Sequence, residues 1–215
     1  MLPQAQKSPS MSYKSRYEAI LGLVLRDARV QHGFESLEIS IDTANNIRFT
    51  PDFVSGLRKG GKQVLFEIHS EFNFNPLFIE KMFFIKRIAP EYYYILISDM
   101  SKEEANIRMN SFESNFRKEN KIKVANGEKK IDLNACRNLF GWGEEGSIFD
   151  FTYSELNLKS ALKTLNVSDI CDEFWSVPNK KIFEKEHNEY HRFYSAMEVS
   201  IHINLHNFKK SIRYE

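Results

Sequence analysis

Cysteine is nearly absent from this 215-residue chain: Cys136 and Cys171 lie far apart and form no Cys-x-x-Cys pair. That excludes a disulfide-stapled scaffold and a cysteine zinc cluster, and two free thiols in a reducing cytosol is the plain reading. Proline and glycine are sparse, at six and nine residues, so low-complexity and linker-like architectures are excluded. Long apolar runs are missing too. None approaches the ~20 residues that a membrane-spanning helix needs. Residues 1–12 are polar, with Pro3 and Pro9, and lack the apolar centre of a signal peptide, so a loose tail is expected there. Neither sign of charge dominates, with 30 Lys+Arg against 29 Asp+Glu. No strong basic balance announces nucleic acid, although net charge says little about a local patch. The expectation is a cytoplasmic protein with no membrane partner.

What the chain does have is core material. Hydrophobic residues make up 42% and phenylalanine alone accounts for 18 positions, ample for one domain, or one domain with an appendage. Between about Lys14 and Arg29, Tyr17, Ile20, Leu21, Val24, Leu25 and Ala28 trace the stripe of an amphipathic helix. Ser12 or Ser15 can cap it and Gly33 offers a stop. Glu18 borders the stripe, where a glutamate is ordinarily solvated, and Gly22 beside it would admit another backbone. Phe34–Ile41 alternates as a first strand, followed by turn chemistry at Asp42–Asn46.

The stretch that organises the rest is Phe49-Thr50-Pro51-Asp52-Phe53, followed by Val64-Leu65-Phe66-Glu67-Ile68-His69. Ile47–Val54 and Val64–Ser70 read as strands, and Lys59-Gly60-Gly61-Lys62 supplies the positive-φ positions of a tight hairpin. The hairpin sets Asp52 beside Glu67, and two adjacent carboxylates repel unless a cation or a shared proton intervenes. Glu67 and His69 share a face with Leu65 in a strand expected to be central, where a buried acid needs a partner. The plainer alternatives are a turn aspartate after proline and a solvent-facing edge glutamate. Leu77–Ala89 then reads as a helix ended by Pro90, and Tyr92–Ser98 as a buried strand paired parallel to an earlier one.

Helix, strands, helix, strand, with a glutamate on the first helix, Pro51-Asp52 and Glu67-x-His69, resembles the PD-(D/E)XK nuclease superfamily over roughly residues 14–99, under half the chain. The resemblance implies an α/β fold, a restriction-endonuclease-like mixed sheet flanked by helices, with a core over 13–100 and a mainly helical C-terminal extension over 101–215. It implies a metal-dependent DNA endonuclease using Mg²⁺ or Mn²⁺, held by Asp52, Glu67 and the carbonyl of Ile68, with Glu18 holding a second ion or its water. Histidine stands where the family carries lysine. His69 would orient or deprotonate the nucleophilic water or join the metal shell, or else Lys81 or Lys62 would supply the missing ammonium, or catalysis has been lost. The rival reading is an inactive nuclease-fold subunit that binds DNA or serves assembly; RNA is a further substrate option.

The second half is less informative. Glu103–Arg117 carries a weak helical stripe, and residues 115–130 hold a basic stretch around Asn126-Gly127, either a phosphate-tracking stripe or a solvated hairpin. Leu139–Gly143 is an aromatic–glycine turn, either a core plug or a base-stacking platform. Leu156–Leu165 reads as a short helix, and Ile170–Val177 carries Phe174 and Trp175. Glu189–Ile212 reads as a long helix whose stripe suits either a lid on the core or the seam of a homodimer. His187 with His191 and His202 with His206 are spaced i,i+4, which permits metal sharing on a helix, but surface histidines are the simpler reading.

Overall fold

The computed structural model describes residues 13–42, 47–70, 76–109, 166–179, 183 and 190–212, excluding the side chains at 41, 42, 47, 76, 77, 80, 81, 84, 190 and 191. Helix α1 spans Arg16–Asp27 and starts at a capping box: Ser15 accepts from the Glu18 N–H, and the Glu18 side chain reaches back to the Ser15 N–H. Ile20, Leu21, Val24 and Leu25 are buried. The helix stops at Ala28, followed by Arg29 at φ 55°, not at the glycine the sequence suggested. Gly33 instead lies inside strand β1, His32–Phe34.

The single strand expected over Phe34–Ile41 is two: β1 and β2, Ile39–Asp42. Glu35 breaks it by taking φ 44°, outside extended space. The Ile47–Val54 strand is likewise divided, into β3, Ile47–Phe49, and β4, Phe53–Lys59. Pro51 lies at the break, where it has no N–H to give a ladder. Strands β2 and β3 pair with each other in a separate two-stranded sheet. Strand β4 turns through Gly60 (φ 55°) and Gly61 (φ 77°) into β5, Lys62–His69, as the hairpin sequence demanded.

Helix α2, Pro76–Ile88, carries the chain across to β6, Tyr92–Ser98, which pairs parallel to β5. Residues 102–109 form helix α3, Val167–Ile170 helix α4, Glu173–Ser176 strand β7 and Tyr190–Ser211 helix α5. The main sheet is mixed, ordered β1-β4-β5-β6-β7, with β1, β4 and β5 antiparallel and β5, β6 and β7 parallel. The chain is therefore α/β, with a five-stranded mixed sheet. Its C-terminal part, expected to be mainly helical, also contributes β7 to the sheet.

Alternation along β5 divides the core into two layers. Val64, Phe66 and Ile68 face α1 and α5, meeting Leu21, Leu25, Phe193, Met197 and Ile201. Leu65 on the other face joins Leu96, Phe78, Met82, Ile85 and Ile170 beneath α2 and α4. Each fully buried Phe or Leu in these layers contributes roughly 1.5–3 kcal/mol of burial. Glu67 and His69 fall on the α2 face by the same alternation. No helix among the described residues is long and apolar enough to cross a membrane. The expected helix over 156–165, the basic stretch over 115–130, the turn at 139–143, Cys136 and His187 lie outside the described residues.

Candidate active site: a carboxylate pair at the end of the parallel strands

Strand β4 begins one residue after Asp52, and β5 ends at His69. Their register pairs Phe53 with Phe66, which brings Asp52 opposite Glu67. The contact is made through the main chain as well as the side chains. The Asp52 N–H donates to Glu67 Oε2 at 3.2 Å, and the Ile68 N–H donates to Asp52 Oδ2 at 2.8 Å. The site therefore lies where the parallel strands β5 and β6 end, the edge at which open α/β sheets ordinarily take ligands.

Burial of Asp52 and its closeness to Glu67 push its carboxyl up to about 8, with Glu18 and Glu35 adding to the repulsion and the Ile68 N–H opposing it. Burial is the larger cause and the unneutralised Glu67 charge the second, and a group so perturbed by both marks a candidate functional site. Glu67 itself is buried, at 7% exposure. Its Oε1 meets His69 Nε2 at 3.0 Å. The imidazole is sandwiched onto Phe78 of α2, ring centroids 3.8 Å apart and 26° from parallel. His69 Nδ1 and Ser98 Oγ, on register partners of β5 and β6, are buried with no hydrogen-bond partner among the described residues.

Helix α1 reaches this end of the sheet with its first turn. Glu18 is buried at 9% and directs Oε2 to the Lys14 N–H at 2.7 Å and the Ser15 N–H at 3.2 Å. The Tyr17 hydroxyl donates to the buried Asp99 Oδ2 at 3.1 Å, just past the end of β6, and so fixes the helix against the site. Gly22 does not admit a backbone. A Cβ there would meet the Tyr13 ring, which packs over it and edge-on to Phe34.

No family model and no curated protein matches this chain.

Of the residues singled out in the sequence, Asp52, Glu67, Ile68 and His69 come together, and Glu18 approaches closely enough to repel Asp52. The Ile68 group seen bonded to Asp52 is its N–H; the expectation concerned its carbonyl. Lys62 is not brought in. It opens β5 at the hairpin, paired with Lys59, seven residues of extended chain from His69. Lys81 lies in α2 one turn beyond Phe78, and its side chain is outside the described residues. Two residues were missed by the sequence reading, Glu35 and Lys14. The Glu35 N–H donates to the Asp52 carbonyl at 3.0 Å, and its carboxylate pairs with the exposed Lys14 ammonium. The hydrogen bond to Glu35 raises the Lys14 pKa, burial opposes it, and the charges of Glu35, Glu18 and Asp52 add smaller upward pushes. A non-glycine positive φ at Glu35 is the local feature that marks it, and sequence alone does not reveal one.

The donor set fits a divalent cation in kind. Asp52 and Glu67 are hard oxygen ligands, adjacent and short of positive charge, which suits Mg²⁺ or Mn²⁺. Glu18, Asp52 and Glu67 do not converge as three ligand atoms within 4.8 Å of one another. Both Glu67 oxygens are also engaged by protein donors, so holding an ion there exchanges the His69 contact for a metal bond.

Proposed function

We propose that the chain is a divalent-metal-dependent endonuclease of PD-(D/E)XK type, hydrolysing phosphodiester bonds in DNA. One observation carries this reading: Asp52 and Glu67, the Pro-Asp and second-acid positions, are juxtaposed across a hairpin, where burial and then the Glu67 charge push the Asp52 carboxyl up. The order of α1, antiparallel β1, β4 and β5, crossover α2 and parallel β6 supports a restriction-endonuclease-like core. Asp52 and Glu67 would hold Mg²⁺ or Mn²⁺, with the Ile68 carbonyl as a further ligand and Glu18 on its water. The bound ion would lower the pKa of the attacking water and polarise the phosphate.

In this reading His69 does what a motif lysine does elsewhere, by a different route. With its proton on Nε2 toward Glu67, the imidazole presents a bare Nδ1, and release of Glu67 frees Nε2 to meet a water or a phosphoryl oxygen. The stack on Phe78 holds the ring plane while that exchange takes place.

A second reading, an inactive nuclease-fold subunit that binds DNA or serves assembly, draws on the His69–Glu67 contact itself, because an imidazole occupying Oε1 satisfies the acid without a metal. Cleavage of plasmid, single-stranded and branched DNA and of RNA in Mg²⁺ or Mn²⁺ separates the two. Cutting by the wild type that disappears in Asp52→Ala supports the enzyme. Intact DNA binding with no cutting in either metal supports the subunit.

A further inference from the structure

A second cluster of metal-ligating side chains lies away from the carboxylate pair. Asp27, the last residue of α1, and Glu198 and His202 of α5 each offer one ligand atom, all within 4.8 Å of one another. Glu198 and His202 are four apart on a helix and share a face. That face lies against α1, since Ile201 and Leu205 pack with Leu21, Val24 and Leu25 in one core. The three donors thus bridge two helices that are already held together by apolar contact.

Two carboxylates and the end of α1 attract a cation here, in competition with the Arg26, Lys209 and Lys210 side chains nearby. The C-terminal end of a helix is partially negative, and here it draws the Lys209 ammonium to the Ala28 carbonyl at 3.0 Å. Arg26 Nε lies 3.6 Å from Asp27 Oδ1, but both groups are more than half exposed, so the pair is a weak competitor. Two carboxylates and a neutral imidazole balance a doubly charged ion, and the imidazole selects against Mg²⁺ and Ca²⁺ in favour of zinc-like ions. Beside His202 a cavity of about 280 Å³ is lined also by Ala28, Leu205, His206, Lys209 and Lys210, so solvent reaches the imidazole from that side.

We infer that Asp27, Glu198 and His202 form a Zn²⁺-class metal site that staples the end of α1 to α5. The site is independent of the carboxylate pair at Asp52 and stands whether or not the chain cuts DNA. His206 lines the adjoining cavity but is outside the ligand triad.

The test uses the full chain carrying Asp52→Asn and Glu67→Gln, so that the carboxylate pair does not contribute, with Co²⁺ as a spectroscopic probe. The expected result is one Co²⁺ per chain with visible d–d bands, displaced by Zn²⁺, and a Tm that rises with metal concentration. Adding His202→Gln or Asp27→Asn weakens binding about tenfold or more, a loss typical of perturbed metal ligation, whereas His206→Gln leaves it unchanged. Should His202→Gln alter the circular dichroism, Glu198→Gln replaces it. Absence of Co²⁺ binding, or binding of equal strength after His202→Gln or its replacement, overturns the assignment. So does loss of binding through His206→Gln alone.

Discussion

The backbone N–H of Asp52 donates to Glu67 Oε2 at 3.2 Å, so two acids fifteen residues apart are locked together by main chain as well as by their strands. A carboxylate bonded by a neighbour's backbone cannot simply swing away to relieve repulsion. The strain appears instead in the titration of Asp52, whose carboxyl is pushed up to about 8 by burial first and Glu67 second.

The first prediction follows from that displacement. Asp52 has a folded-state pKa above its unfolded value of 3.8. Its contribution to stability is therefore complete below pH 3.8 and is lost as pH rises through about 8. Urea unfolding without divalent metal should show Asp52→Asn gaining stability relative to wild type between pH 5 and pH 9. Parallel curves for the two proteins across that range would refute the assignment. Metal affinity at the pair should rise over the same interval, because the ion binds the deprotonated acid.

Substitution at His69 separates the roles proposed for it. His69→Ala removes both the Glu67 contact and the Phe78 stack, and cleavage should fall by roughly 10²–10⁴-fold if the ring moves a proton. His69→Lys should restore a large part of kcat while flattening its dependence on pH near neutrality. Cleavage by His69→Ala at the wild-type rate would remove the imidazole from the proposed chemistry.

Ser15 tests the coupling of α1 to the site. Ser15→Ala deletes the cap on the Glu18 N–H and should cost about 1 kcal/mol. Fraying of the uncapped first turn should also loosen Glu18, whose Oε2 is held by the backbone N–H groups of Lys14 and Ser15 just ahead of α1. Thermal unfolding measures the first effect, and Mn²⁺ titration the second. An unchanged Tm would mean that the cap is redundant.

Cys171 is buried beneath α2 at 1% exposure, and burial pushes its thiol up to about 12. In a Cys136→Ser background, alkylation of the native protein at pH 8 should be slower by orders of magnitude than in urea, because the thiolate is the nucleophile. Rapid native labelling would contradict its placement in the core.

Periodicity made the regular elements readable. The stripes of α1 and α5, the alternation of β5, the apolar run of β6 and the Gly60-Gly61 hairpin are local patterns, and each is found where the sequence places it. Strand β7 is four residues long, too short for a pattern, and its identity rests on pairing with β6. The split between β1 and β2 was hidden because Phe34–Ile41 alternates like one strand while Glu35 leaves extended space to bond the Asp52 carbonyl. At the site, Asp52 and Glu67 were readable as hairpin partners. Lys14 and Glu35 were not, because their pairing depends on how α1 packs against β1, a long-range relationship.

The parallel ladder from β5 through β6 to β7 also governs the order in which the molecule can be assembled. Strand β6 ends at Ser98, but its neighbour β7 begins at Glu173, and α5, which covers the same layer, closes at Ser211. On the ribosome, Ile95 and Ile97 must wait for Trp175 and Phe208 before that layer of the core is complete. Pairings of such high sequence separation fold slowly. A nascent chain halted after β6 would expose one flank of its central strands, making the second half of the polypeptide the step that commits the first to its native state.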